Sequence, residues 1–265
     1  STVAEVILSQ NPAQPVGTLV QGLYGWQDFA LAGPSDPMPP SPLPPGLPAE
    51  MSLAALGATG ITAYFGLLET GGLRAGQTVL VSAAAGATGS MAVQIARLHG
   101  ARVIGIAGGP EKCAWVRELG AEAAIDYKHE DLDARLAALC PQGVDLFFDN
   151  VGGAQLEAGI AHIAQGGRIV LCGQIAAYDG ASLPGPRNIM TLIYRRARIE
   201  GYLVLDHLAR AGEAFQALGG WLASGELRWH ADVQEGFDAI PRTLMRLFRG
   251  ENRGKQILRI DPPAA

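Results

Sequence analysis

From residue 77 onward, short apolar runs alternate with amphipathic segments. The runs are continuous rather than interrupted by polar residues, which is typical of parallel strands covered by helices on both faces. Strands are predicted at 78–83, 101–108, 121–127, 144–151, 167–173, 197–205 and 254–260. Helices are predicted at 89–99, 111–119, 131–139, 154–164 and around 207–223. This rhythm predicts an α/β fold, a Rossmann-like doubly wound parallel sheet.

The first 76 residues have a different pattern. Residues 1–32 read as short strands separated by turns, within VAEVIL, GTLVQGLYGW and QDFALAG. Residues 33–48 contain eight of the 17 prolines, which excludes a sheet or helix interior and favours an ordered surface connection between domains. A stiff polyproline linker is the alternative. Residues 51–68 are apolar nearly all round and predict one buried helix.

The first strand–helix turn carries the main candidate chemistry. It reads Ala-Ala-Ala-Gly-Ala-Thr-Gly from Ala83 to Gly89, directly after a strand and directly before a helix. In this context backbone N–H groups and the helix N-terminus bind a diphosphate. Ala84 replaces the usual first glycine, so an ordinary glycine-rich turn is the alternative. The repeated strand–helix units behind the turn favour a dinucleotide site.

The end of the second strand of this unit indicates which dinucleotide binds. An NAD site would place an acid there, on the ribose 2′-hydroxyl. Residues 106–109 are small and apolar instead, and Lys112 follows, which suits a 2′-phosphate. The sequence therefore predicts NADPH. Glu111, which also fits ordinary helix-start chemistry, leaves NADH as the alternative.

Composition narrows the classes of function. The 265 residues are 48% hydrophobic and 17% charged, with a net charge of −5 and no basic run, so nucleic-acid and anionic-membrane surfaces are not expected. The long uncharged stretches 51–68 and 77–96 are diluted with Gly, Ser, Thr and Gln, which disfavours membrane spans. The five histidines lie far apart and no Cys-x-x-Cys occurs, so no metal site is predicted. A reducing, cytoplasmic location is expected from three widely spaced cysteines, which are Cys113, Cys140 and Cys172.

Several strings, taken in order, resemble one known family. The chain resembles the zinc-independent prostaglandin reductase branch of the medium-chain dehydrogenase/reductase superfamily, which includes leukotriene 12-hydroxydehydrogenase, plant alkenal double-bond reductases and bacterial curcumin reductases. The strings that carry the resemblance are LYGWQDF (23–29), GITAYFGLL (60–68), AAAGATGS (83–90), AGGPEKC (107–113), IDYK (125–128), FDNVGG (148–153), CGQIAAYD (172–179), LPGP (183–186) and GENRGK (250–255).

The resemblance implies a domain plan. Residues 1–56 correspond to the remnant of a GroES-like β domain with its proline-rich connection, 57–225 to a Rossmann NADPH-binding domain, and 226–265 to a return to the first domain. Family members have a longer N-terminal region, so a fragment and a naturally short form are both open.

The resemblance also implies a reaction and its residues. NADPH would deliver hydride to the β-carbon of an α,β-unsaturated ketone or aldehyde, without zinc. Tyr178 is the predicted hydrogen-bond donor to the developing enolate oxygen, and Tyr64 is a second catalytic candidate. The predicted cofactor-binding residues are Gly86, Ala87, Thr88, Gly89, Lys112, Tyr127, Asn150, Cys172, Gly173, Gln174, Ile175, Tyr178, Tyr202, Leu203, Val204 and Asn252.

Structural roles for several of these residues stay open. Tyr178 could be a surface tyrosine, Tyr64 a core or cleft-wall residue, Asn150 an Asx cap and Cys172 a packing residue. The expected partners are a small hydrophobic enone or enal and, by family analogy, a second copy docked through the strand at 197–205. Quinone reduction and a non-catalytic NADPH-binding or sensing module are the alternative functions.

Overall fold

The computed structural model describes residues 1–36, 38–177 and 184–260. The strands within these residues are β1 (Thr2–Glu5), β2 (Leu19–Gly22), β3 (Ser41–Pro42), β4 (Thr78–Val81), β5 (Arg102–Ala107), β6 (Ala123–Asp126), β7 (Val144–Asp149), β8 (Ile163–Leu171), β9 (Arg198–Gly201), β10 (Ala231–Glu235) and β11 (Lys255–Arg259). The α-helices are α1 (Ala49–Ala54), α2 (Ala58–Phe65), α3 (Ala87–Leu98), α4 (Pro110–Glu118), α5 (Leu132–Leu139), α6 (Gly153–Ala161), α7 (Thr191–Arg195), α8 (Ala211–Ala223) and α9 (Ile240–Phe248).

The largest sheet has the strand order β6-β5-β4-β7-β8-β9, and every neighbouring pair is parallel. This order is that of the Rossmann fold, so the predicted fold class is confirmed. All strands of this parallel sheet end at one edge, and the chain direction across the sheet reverses between β4 and β7. Ligands of open α/β sheets bind at such a reversal, outside the carboxyl ends of the strands.

Both faces of the parallel sheet are buried, as the continuous apolar runs predict. On one face, Val79 and Phe148 pack in a core that includes side chains of α2, α3 and α8. On the other face, Leu80 and Phe147 pack with side chains of α5 and α6. Alternate residues of one strand therefore serve opposite cores, which fixes the register of each strand.

Two smaller sheets flank this core. β1, β2 and β3 form an antiparallel sheet, and β10 pairs with β11 in parallel. β3 lies inside the proline-rich segment. Pro42 is tolerated there because β3 is an edge strand of its sheet. The predicted strand at 27–33 is wrong, since no strand is assigned there. β10 and α9 were not predicted.

The prediction of one helix over 51–68 is also wrong. The segment forms α1, then α2, then a π-helical turn at Gly66–Thr70. Gly57 begins α2 in an extended conformation, with φ −92° and ψ −166°. A Cβ on Gly60 would overlap the carbonyl group of Ala55, so the glycine lets α2 pack against the end of α1. The domain boundaries at 56 and 225 stay predictions.

Candidate cofactor and active site

The turn between β4 and α3 is tight and built from backbone groups. Ala84 N–H donates to the Ile106 carbonyl at 2.9 Å, which ties the turn to β5. Gly86 N–H donates to the Ala83 carbonyl at 2.8 Å, and Gly86 then begins α3 with no side-chain cap. Helix geometry leaves the N–H groups of 87–89 without intrahelical acceptors. These free donors beside small side chains fit a diphosphate.

Glycines hold this turn closed. A Cβ on Gly89 would lie 2.8 Å from the carbonyl carbon of Ala83 and closer still to its oxygen. The departure from the usual motif at Ala84 also has a structural reason. Gly105 of β5 faces Ala84, and a Cβ there would lie 2.8 Å from the Ala84 Cβ. Gly105 on the neighbouring strand therefore leaves room for the Ala84 methyl group, where the usual motif has a glycine in the turn itself.

The C-terminal segment crosses this turn. Gly254 N–H donates to the Ala85 carbonyl at 2.8 Å, and Gly254 bridges to Gly86 in parallel. Asn252 is buried and donates through Nδ2 to the Gly254 carbonyl at 2.9 Å. The structure thus brings the predicted residue Asn252 to the turn from 163 positions beyond Gly89. Gly254 itself was not predicted.

The predicted adenosine end lies at the ends of β5 and β6. Lys112 stands in the first turn of α4, which begins at Pro110, and its Nζ donates to the Gly250 carbonyl at 2.6 Å. Burial lowers the pKa of the Lys112 ammonium, and the nearby charge of Lys128 lowers it further. Tyr127 is 43% exposed at the end of β6, and Glu111 is exposed on α4. The structure brings Lys112 to the C-terminal segment that also carries Asn252.

A buried polar network joins the ends of β4 and β7. Asp149 is fully buried and accepts from Ser82 Oγ at 2.6 Å and from the N–H groups of Val151 and Gly152 at 3.0 Å. Burial raises the pKa of this carboxyl above its ordinary value. Asn150 donates through Nδ2 to the Ser82 carbonyl at 2.8 Å. Asp149, and not Asn150, therefore makes the Asx-type turn, and neither Ser82 nor Asp149 was predicted.

The segment after β8 runs along this network. Cys172 Sγ lies 3.1 Å from both the Asp149 carbonyl oxygen and Asn150 Oδ1, and burial raises the pKa of its thiol. Ile175 N–H donates to the Asn150 carbonyl at 3.2 Å. A Cβ on Gly173 would lie 2.9 Å from that same carbonyl oxygen, so only glycine lets the two strand ends approach. Gln174 is exposed between them.

Tyr178, the first catalytic candidate, lies outside the described residues. The other predicted residues on this side of the site follow β9. Tyr202 is buried, and its ring stacks on His207 at 5.0 Å, which in turn stacks on Phe65 at 4.8 Å. Burial raises the pKa of the Tyr202 phenol. Leu203 is 55% exposed, and Val204 packs against the core. His207 and Phe65 were not among the predicted site residues.

Tyr64, the second catalytic candidate, lies among aromatic side chains away from the diphosphate turn. Its ring contacts Phe65 edge-on at 5.1 Å and lies 6.3 Å from the ring of Trp221. Trp221 also contacts His99, which ends α3 at the opposite end from the diphosphate turn. These neighbours agree with the core role that was left open for Tyr64.

The comparisons with known proteins agree with this geometry. Residues 87–223 match the family described as zinc-binding dehydrogenase. Prostaglandin reductase 1 of Rattus norvegicus is 40% identical over 97% of this chain and 79% of its own length. The NADPH-dependent curcumin reductase of Escherichia coli is 34% identical over 98% of this chain and 76% of its own. The crystal structure of CurA from Vibrio vulnificus in complex with NADPH superimposes with a TM-score of 0.90 at 36% identity, over 98% of this chain and 79% of that one.

The chain belongs to the medium-chain dehydrogenase/reductase superfamily, in the prostaglandin reductase and curcumin reductase branch. The predicted family and the prediction of an oxidoreductase are therefore confirmed. In this reductase, the part of the chain at 1–36, 38–177 and 184–260 contains no group of three or more His, Cys, Asp or Glu residues arranged to hold a metal ion. Within the same ranges, none of the reductase's helices has the length and apolarity to cross a bilayer. The roles of the individual site residues stay predictions.

Proposed function

We propose that this reductase uses NADPH to reduce the carbon–carbon double bond of α,β-unsaturated ketones and aldehydes. The observation that carries the proposal is its likeness, across nearly the whole chain, to proteins named prostaglandin reductase and NADPH-dependent curcumin reductase. The CurA structure with NADPH supports the same cofactor. The diphosphate turn, whose helix begins without a side-chain cap, and the absence of an acid at the end of β5 agree with it.

Each part of the cofactor has a proposed set of binding residues. Residues Gly86–Gly89 bind the diphosphate, through the N–H groups of 87–89, while Lys112 and Tyr127 bind the 2′-phosphate and adenosine. The nicotinamide half is bordered by Asn150, the 172–175 segment, Tyr202–Val204 and Asn252. When bound, NADPH supplies a hydride to the β-carbon of the substrate. The protein then has to stabilise the negative charge on the carbonyl oxygen and exclude water.

Tyr178 is proposed to donate a hydrogen bond to that oxygen. A donor aimed at charge that develops only in the transition state lowers the barrier without tightening substrate binding. In this proposal no zinc ion polarises the carbonyl, so the phenol is its main electrophilic partner. Cys113, Cys140 and Cys172 are free thiols, which supports the proposed reducing, cytoplasmic location.

The test is NADPH oxidation with a panel of enones, enals and quinones, with mass spectrometry to detect the saturated product. For Tyr178→Phe we expect kcat to fall by about 100-fold with little change in NADPH affinity, as for loss of one oxyanion donor. Tyr194→Phe, at a 78% exposed tyrosine on α7, is the matched control. An unchanged kcat in Tyr178→Phe would contradict the assigned role. Tight NADPH binding without turnover of any substrate in the panel would favour a non-catalytic NADPH-binding module. Turnover of quinones alone would favour a quinone reductase.

We also propose a homodimer formed through β9. β9 is the last strand of the parallel sheet among the described residues, so its outer side is an edge that another strand can extend. Exposed apolar side chains lie close to it in the chain: Ile193 on α7 and Leu203 after β9. Sedimentation velocity would give a dimer, and Ile193→Asp, at a 63% exposed position, should shift it to monomer. A monomeric parent would contradict the proposal.

A further inference from the structure

The 2′-phosphate region contains a second lysine to which no role has yet been given. β5 and β6 pair side by side, with Ala107 opposite Asp126, so Gly108 and the Tyr127–Lys128 pair leave the parallel sheet next to each other. A Cβ on Gly108 would lie 2.9 Å from Tyr127 Cε1 and 3.0 Å from Lys128 Cε. Both side chains therefore fold over Gly108, at the strand end that selects between NADPH and NADH.

Asp126 fixes the position of the chain after β5 and after β6. Its Oδ1 accepts from Gly109 N–H at 2.8 Å and from Lys128 N–H at 3.1 Å, and its Oδ2 lies 2.8 Å from His129 Nδ1. Burial alone would raise the pKa of this carboxyl, but these hydrogen bonds outweigh burial and lower it. The carboxylate is therefore occupied by backbone donors and His129, so Lys128 is positioned through its backbone.

Lys112 and Lys128 form a pair of cations near the end of β5. Lys112 lies in the first turn of α4, three residues after Gly109, and the Lys128 side chain lies over Gly108, so the two cations lie beside the same strand end. In addition to burial, the charge of Lys128 also lowers the pKa of Lys112. Lys112 binds a neutral carbonyl, that of Gly250. Among residues 1–36, 38–177 and 184–260, the Lys128 ammonium makes no hydrogen bond or ion pair.

Two acids, Asp232 and Glu251, offset part of the positive charge around Lys112, but both are shared with Arg246. Asp232 lies 3.1 Å from Arg246, and Glu251 lies 3.6 Å from the same guanidinium. The Lys112 and Lys128 ammonium groups repel each other, and a dianion placed between them removes that repulsion. A phosphate monoester is such a dianion near neutral pH.

We propose that Lys128 is a second specificity-determining residue, which binds the 2′-phosphate of NADPH together with Lys112. Lys112 reaches the site from the first turn of α4, and Lys128 from the turn after β6. The proposal rests on the proposed NADPH site and does not depend on the enone reaction. It also explains why Gly108 has no side chain, since a Cβ there would push both Tyr127 and Lys128 away.

The test uses fragments of the cofactor, so no turnover is needed. Adenosine 2′,5′-bisphosphate and 5′-AMP are titrated into the full chain by calorimetry. For Lys128→Gln we expect about ten-fold weaker binding of the bisphosphate, because a charge-assisted contact is lost, and unchanged binding of 5′-AMP. Lys128→Arg should retain most of the affinity. The double variant with Lys112→Gln should lose more than either single variant.

Arg117→Gln is the matched control, because it removes one exposed cation from the far end of the helix that carries Lys112. The proposal is overturned if Lys128→Gln behaves like this control, if it weakens both fragments equally, or if the parent chain prefers 5′-AMP. The ratio of the KM for NADPH to the KM for NADH gives a second readout, which should rise only in the lysine variants. If the parent chain did not turn over enones but these binding differences were still observed, the proposed reaction would be wrong and the role of Lys128 would stand.

Discussion

The two ends of the candidate cofactor site are built in different ways. The diphosphate end consists of backbone N–H groups in a turn that Gly86 and Gly89 keep closed, and its side chains are small. The adenosine end consists of side-chain cations on separate elements, Lys112 on α4 and Lys128 after β6. In the proposed binding mode, the first end meets the diphosphate that every dinucleotide has, whereas the two lysines of the second end meet the 2′-phosphate, the group in which NADPH and NADH differ. Variants at the two ends should therefore fail in different ways.

The largest effect is expected from Gly89→Val, at the diphosphate end. Its side chain would overlap the backbone of Ala83 and Ala84, so the turn must open and its N–H groups must separate. We expect both NADPH and NADH to bind at least about 100-fold more weakly, with a lower midpoint of thermal unfolding. Calorimetric titration with each cofactor and a thermal melt measure these effects.

Gly220→Ala is the control for that variant. Gly220 is exposed inside α8, and a Cβ there has no neighbour within 4 Å. Replacing glycine by alanine in a helix interior should stabilise the fold by about 0.5–1 kcal/mol and leave cofactor binding unchanged. If Gly89→Val lost affinity for NADPH alone, the comparison between the two ends would be wrong.

A smaller and selective effect is expected from Lys112→Ala, at the adenosine end. Because the 2′-phosphate loses a charge-assisted hydrogen bond, NADPH affinity should fall by about ten- to a hundred-fold. NADH has a hydroxyl in that place and should bind nearly as before. Parallel titrations of the two cofactors distinguish this outcome, and equal losses for both would refute the role of Lys112.

This difference in construction also explains which parts of the site could be predicted from the sequence. The diphosphate turn is local: strand, small residues and helix follow one another from 78 to 98, so the pattern alone indicates it. The parallel sheet follows for the same reason, since each strand–helix unit carries its own signal. Lys112 also lies only a few residues beyond a predicted strand. The hydrogen bond from Lys112 to Gly250 could not be predicted from the sequence, because 138 positions separate the two residues.

The sequence did not indicate residues that become neighbours only when the chain folds. Ser82 and Asp149 lie 67 positions apart, and nothing in either local sequence indicates that they share a hydrogen bond. Tyr64 became a catalytic candidate by resemblance, yet its neighbours are Phe65 and Trp221. For α9, by contrast, a signal was present: Ile240, Leu244 and Phe248 recur at helical spacing and would have predicted the helix.

The smallest effect is expected from Ala84→Gly, which restores the usual glycine to the diphosphate turn. Ala84 is fully buried and lies over Gly105, so the change removes one buried methyl group and adds backbone freedom to the unfolded chain. Unfolding experiments should give a loss of stability of about 1 kcal/mol. Binding of NADPH and NADH should stay within about two-fold of the parent, because the N–H groups proposed to meet the diphosphate belong to residues 87–89 and not to Ala84. A large loss of affinity for both cofactors would mean that the buried methyl group, and not the glycines alone, sets the shape of the turn.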